Sequence, residues 1–224
     1  MNWLALGAFG GLVGLDATSF AQTMISRPLI AATVTGLIMG RPVEALLLGS
    51  ILELFALVIL PVGAARYPEA GTAAVAATAA VLSVSPIMSP ALVLLAVLFA
   101  LLWEHVGGIS VIIARRANEK FASVDDIPAG LPVDRVLERR QLLAMGLDFL
   151  RGAVVTLAGV FVGELAVRGL AQLWMLDVVV APAILSIGIS CMVAAALPLF
   201  GGLRAQKLAF GLGLACGLLI LLLR

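Results

Sequence analysis

Glu53 stands in the least usual chemical setting of the sequence: within residues 46–60, LLLGSILELFALVIL, it is the one ionisable side chain. A carboxylate carried into hydrocarbon costs several kcal/mol unless it is paired, protonated or wetted, so such a residue points to a bound ligand or a relayed proton. The competing reading pairs Glu53 with an arginine simply to associate helices. Ser50 precedes Glu53 by three residues, which on a helix sets its hydroxyl on the same face. A hydroxyl beside a carboxylate suits the ring hydroxyls of a carbohydrate better than an apolar ligand. Taken singly, a serine in a membrane helix more often bonds its own preceding turn. Asp16, Gln22 and Arg27 form a second polar set in GLDATSFAQTMISRPLIAATVTG (14–36). The Arg27 guanidinium fits a desolvated pair with Asp16 or Glu53, since its fork bonds both carboxylate oxygens. Against this stands an interfacial placement of the whole stretch in water.

Other reactive residue types carry less. His105, the single histidine, falls at the end of an apolar run in WEHVGG, a boundary position rather than a phosphoacceptor or ligand. Cys191 and Cys216 lie in apolar stretches, far apart and without companion histidines, and read as packing residues with no metal site. There is no GxxxxGK[ST] and no HExxH. The expectation is therefore no cofactor, no metal, no catalytic residue of the chain's own, and an energy source that comes from a partner or a gradient.

The elements that must position these residues are membrane helices. Of 224 residues 62% are apolar and 12% charged, against roughly a quarter charged in a soluble domain, and the net charge is +1. That excludes a water-soluble globule, and the absence of a basic field argues against nucleic acid as a partner. Membrane lipid is the solvent. The expected fold is all-α and polytopic. Ile87–Trp103, Leu142–Arg168, Val178–Phe200 and Leu203–Leu223 read as regular spans. Leu4–Gly14, Pro28–Gly40, Ala45–Leu60 and Gly71–Val84 are shorter runs broken by Gly, Pro or charge. Broken or re-entrant helices are tolerated at membrane depth only inside protein or beside a wet cavity, so they point to a substrate site. The alternative is that Pro28, Pro42 and Pro61 kink continuous spans or start helices. Residues 1–14 lack a basic flank and read as a retained membrane segment.

Three regions follow: 1–103 with the broken segments and the substrate site, a charged 104–140 loop, and a three-helix 141–224 region. The middle region carries Arg115, Arg116, Lys120, Arg135, Arg139 and Arg140 among the chain's 14 Lys and Arg residues, which places it in the cytoplasm.

RPLIAATVTGLIMG (27–40), LLLGSILELFAL (46–57) and PVGAARYPEAG (61–71), in that order, resemble the IIC membrane subunit of the mannose/fructose/sorbose phosphotransferase systems; LLAMGLDFLRGAV (142–154) resembles it more loosely. The resemblance implies a permease of the bacterial inner membrane that pairs with a IID membrane subunit, assembles as a trimer of IIC–IID units, and works with cytoplasmic IIA and IIB subunits. These carry phosphate on histidines and pass it to the entering sugar, which traps it. It also implies a role near the sugar for Glu53, Arg27 and the turn at Gly63, Ala64 and Ala65. Arg66 and Tyr67 depart from the small residues expected in that turn. The alternative function is a degenerate, non-transporting homologue that serves as a membrane interaction scaffold.

Overall fold

A computed structural model describes residues 2–20, 22–57, 68–122, 132–173 and 179–222. The described residues are helical, with no strand among them: α1 (Trp3–Thr18), α2 (Pro28–Met39), α3 (Pro42–Ala56), α4 (Ala70–Val84), α5 (Pro90–Ala122), α6 (Val133–Leu173), α7 (Val180–Ala196), a 3-10 turn (Leu197–Phe200), α8 (Gly202–Ala205) and α9 (Lys207–Leu222). Three of these helices are long and apolar enough to cross a membrane. The chain is an all-α polytopic membrane protein.

The expected short pieces in the first half are short helices. At 1.5 Å per residue α1 to α4 reach only about 18–24 Å, less than the ~30 Å hydrocarbon layer. Proline at the first position of α2 and α3 costs nothing, because that N–H has no intrahelical partner. Gly40 ends α2 at φ 74, the left-handed conformation that turns the chain into α3, and its N–H bonds the carbonyls of Gly36 and Leu37. The resulting α2–α3 hairpin is fastened at its tip by Arg41. Its guanidinium donates to Glu44 and to the carbonyls of Leu82 (2.9 Å), Ser85 and Pro86 (3.0 Å), in the last turn of α4 and just beyond it.

α4 is the centre of the molecule. Every residue from Gly71 to Leu82 is buried, and α1, α2, α3, α5 and α6 all pack against it. Its Ala, Gly, Thr and Val side chains allow that close approach, which in lipid replaces hydrophobic driving force with contact between surfaces. The α1–α6 crossing is tighter still, since a Cβ on Gly152 would stand 2.8 Å from the Gly10 carbonyl oxygen. Trp103 joins α5 to α6 by donating to the Val155 carbonyl at 3.2 Å and stacks on Phe99.

The charged stretch expected as a loop between Glu104 and Arg140 is helical on both sides of residues 123–131: α5 continues to Ala122 and α6 starts at Val133. At about 50 and 60 Å these two helices outrun the bilayer. Falling hydropathy marks where they leave it, while residues such as Glu119, Arg116 and Arg139 keep a good helix propensity in water. α7 and α9 bury few of their described residues and expose Ile184, Ile187, Leu208, Phe210 and Leu212, as helices that are apolar all round do in lipid.

Candidate functional site

Two ion-pair clusters gather near the C-terminal end of α1 and the N-terminal ends of α2 and α4. In the first, Arg27 stands immediately before α2 and Glu53 one turn from the end of α3, so the hairpin brings them together. Arg27 Nε donates to Glu53 Oε1 at 2.7 Å, its Nη2 bonds the same oxygen, and the Leu29 N–H donates to Oε2 at 3.2 Å. The carboxylate thus also caps α2, where the helix dipole favours negative charge. Arg27 is paired with Glu53 and not with Asp16. Its Nη1 makes no hydrogen bond among the described residues.

Asp16, 4% exposed, orders the segment between α1 and α2. It accepts from the Thr23 N–H, the Thr23 hydroxyl (2.8 Å) and the Ser26 N–H (3.0 Å). Those bonds hold a backbone that carries Gln22 at φ 49 and Met24 at φ 67, conformations disfavoured without glycine. The result is a cavity of about 540 Å3, lined by Asp16, Thr18, Gln22, Ser26, Arg27, Glu69 and Arg115 among others. Among the sequence candidates, Asp16, Gln22 and Arg27 line it and Glu53 stands behind Arg27. Ser50 is placed elsewhere: it is exposed, does not line the cavity, and its hydroxyl donates to the Leu46 carbonyl one turn back at 2.8 Å. Gly63 and Ala64, with Arg66 and Tyr67, lie outside the described residues. His105 is exposed, its ring bonded to the Leu101 carbonyl.

The second cluster is absent from the sequence reading. Arg151 of α6 bonds Asp148 through Nε (2.6 Å), Glu69 through Nη1 (2.8 Å) and Nη2 (3.0 Å), the Ser110 hydroxyl (2.9 Å) and the Gly14 carbonyl (3.3 Å). All five N–H groups are used. The side chains of Arg151, Glu69 and Asp148 are 9%, 1% and 4% exposed. Asp148 also accepts from the hydroxyls of Thr18 and Ser19, so the cluster ties α1, α4 and α5 to α6. Asp148 and Arg151, three apart inside an apolar run, are the signal that would have found it. Glu69 gives no such signal, because PEAG reads as a solvated turn.

Comparison with known proteins adds identity to this geometry. The sorbose-specific EIIC component of a phosphotransferase system from Klebsiella pneumoniae is 29% identical over 154 residues, 69% of this chain and 56% of the relative, so the match spans little more than half of that protein's length. A solved structure described as "Structure of membrane protein" shares the fold at a TM-score of 0.72 and 18% identity, with 96% of this chain and 85% of that one covered. Residues 1–194 match the family described as "PTS system sorbose-specific iic component". The chain belongs to that family of phosphotransferase-system IIC components.

Proposed function

We propose that the chain is the sugar-translocating IIC permease subunit of a mannose-family phosphotransferase system in the bacterial inner membrane. The observation that carries this reading is the Arg27 guanidinium, fixed by Glu53 on one side while Nη1 remains unbonded among the described residues, in a side chain that borders a polar cavity. A sugar hydroxyl both donates and accepts. Arg27 offers donors, Asp16 offers acceptors, and the Gln22 amide offers both. Glu53 acts as a positioning residue that aims Arg27. The cavity lies beside Arg115, toward the end where α5 and α6 carry their cationic extensions, the end that the positive-inside rule assigns to the cytoplasm. A sugar there is within reach of a cytoplasmic phosphoryl donor, which supports coupling to IIA and IIB partners. Short helices ending at the cavity need cover in lipid, which supports a IID subunit as a partner and IIC–IID units as the assembling species, three to a trimer.

The test is radiolabelled sugar binding by the purified chain with and without co-expressed IID, across mannose, glucose, fructose, sorbose and amino sugars. Saturable binding only with IID is the expected result. Binding by the isolated chain would defeat the shared site, and no binding even with IID would favour the non-transporting scaffold.

A further inference from the structure

A second cavity, of about 510 Å3, lies at the far ends of the same helices. Its lining is Asn2 and Trp3 at the start of α1, Ile38 and Met39 at the end of α2, Ser83 at the end of α4, and Glu164 of α6. Its size falls in the range of about 300–1,000 Å3 common for small-molecule sites. We propose that it is a second sugar subsite, an outer vestibule that takes a neutral, unphosphorylated sugar before the sugar reaches the first cavity. This rests on the reading of the chain as a sugar permease subunit.

The chemistry of the lining selects the ligand. A sugar ring presents an apolar C–H face and an edge of hydroxyls. Trp3 offers an indole that is 43% exposed and makes no hydrogen bond among the described residues, and its electron-rich face attracts polarised C–H groups. Ile38 and Met39 extend that apolar surface. Glu164 gives one oxygen to Arg168 at 2.6 Å and leaves Oε2 free to accept a hydroxyl proton. The Asn2 amide caps α1 through its oxygen, which accepts from the Ala5 N–H at 3.2 Å, so its NH2 group remains to donate. Ser83 donates to the Ala80 carbonyl and keeps its oxygen lone pairs.

Charge excludes the other small ligands. Among the described residues Arg168 neutralises the one carboxylate of the lining, so these residues supply neither the clustered anionic oxygens a cation needs nor the surplus of cations a sugar phosphate needs. The α4 helix separates the two cavities by about 22 Å, and the second lies at the end opposite the cationic extensions of α5 and α6. Movement of α1 or of the α2–α3 hairpin would alter both cavities together.

The test uses the full chain with its membrane partner, labelled with 5-fluorotryptophan, and follows its indole resonances by fluorine NMR during titration with L-sorbose and D-mannose. The resonance removed by Trp3→Phe should shift saturably. Glu164→Gln and, separately, Ser83→Ala should weaken that shift by about tenfold in sugar concentration, a loss of about 1.4 kcal/mol. An unchanged Trp103 resonance certifies the core in each variant. Glu53→Gln should leave the Trp3 shift in place while weakening calorimetric binding at the first cavity by about tenfold or more. A Trp3 resonance that stays fixed while calorimetry records sugar binding overturns the vestibule alone, as does an equal shift with glycerol. Silence in both measurements for every sugar overturns the permease reading and the vestibule together.

Discussion

Arg27–Glu53 and Arg151–Glu69–Asp148 occupy the same end of the helix core, yet their guanidinium groups are used in opposite ways. Arg151 has no donor left, and its partners are sealed between four helices. Arg27 is about one third exposed, bonds one carboxylate, and keeps Nη1 unbonded among the described residues beside the cavity. A saturated cation cannot take a ligand without breaking what it already holds; an unsaturated one can. The first cluster is therefore suited to bind and the second to build, although both pair an arginine with carboxylates.

Breaking the built cluster should have the largest effect. Arg151→Met strands Glu69 and Asp148 without their cation, and removing one member of a buried pair costs about 3–5 kcal/mol. The detergent-solubilised protein should melt far lower, or fail to accumulate in the membrane. A double variant, Arg151→Met with Glu69→Gln, should recover part of that loss, and a melt no better than the single variant would show that the carboxylates do not need the arginine.

Arg27→Ala should do the reverse. Hydrogen bonds to a charged group are worth about 1.5–3 kcal/mol, so sugar binding should weaken by about 10- to 150-fold while the melting temperature moves little. Arg27→Lys should not restore affinity, because an ammonium lacks the fork that bonds Glu53 while leaving donors spare. Full rescue by lysine would reduce the role of Arg27 to charge.

Asp16→Asn is intermediate. The amide keeps one acceptor and replaces the other with a donor facing the Thr23 or Ser26 N–H, at a cost of about 1–3 kcal/mol for the donor left unpaired. Faster hydrogen exchange at Thr23 and Ser26 should accompany a modest loss of binding. The smallest effect belongs to Ser50→Ala, whose hydroxyl bonds its own helix; sugar uptake should stay unchanged, and a clear loss would bring Ser50 into the site by a rearrangement of α3.

What the sequence discloses follows the same division. Glu53 is legible because a single charge in an apolar run has no bland explanation of equal economy, and Arg27 because Arg-Pro opens a helix beside it. The short helices α1 to α4 are legible from their glycines and prolines. Glu69 is not, because its burial comes from α5, where Gly107 leaves room for it: a Cβ on Gly107 would stand 2.9 Å from Glu69 Oε2. No local pattern reports a neighbour 38 positions away in the sequence. Ser50 misleads for a related reason. Helical spacing puts it near Glu53 in angle, but where that face points depends on how α3 packs against α2. The length of α5 is hidden because hydropathy reports the edge of the bilayer and not the end of a helix.

The division between a binding cluster and a building cluster is tested most directly by Glu53→Gln in the chain co-expressed with the proposed IID subunit, with sugar binding by calorimetry and thermal melting measured on the same preparation. The amide removes the charge that aims Arg27 yet keeps the size of the side chain and an oxygen for the Leu29 N–H. Binding should fall by about tenfold or more while the melt stays within a few degrees, roughly the shift that 1 kcal/mol produces. Wild-type affinity, or a collapse of the fold like that of Arg151→Met, would contradict it.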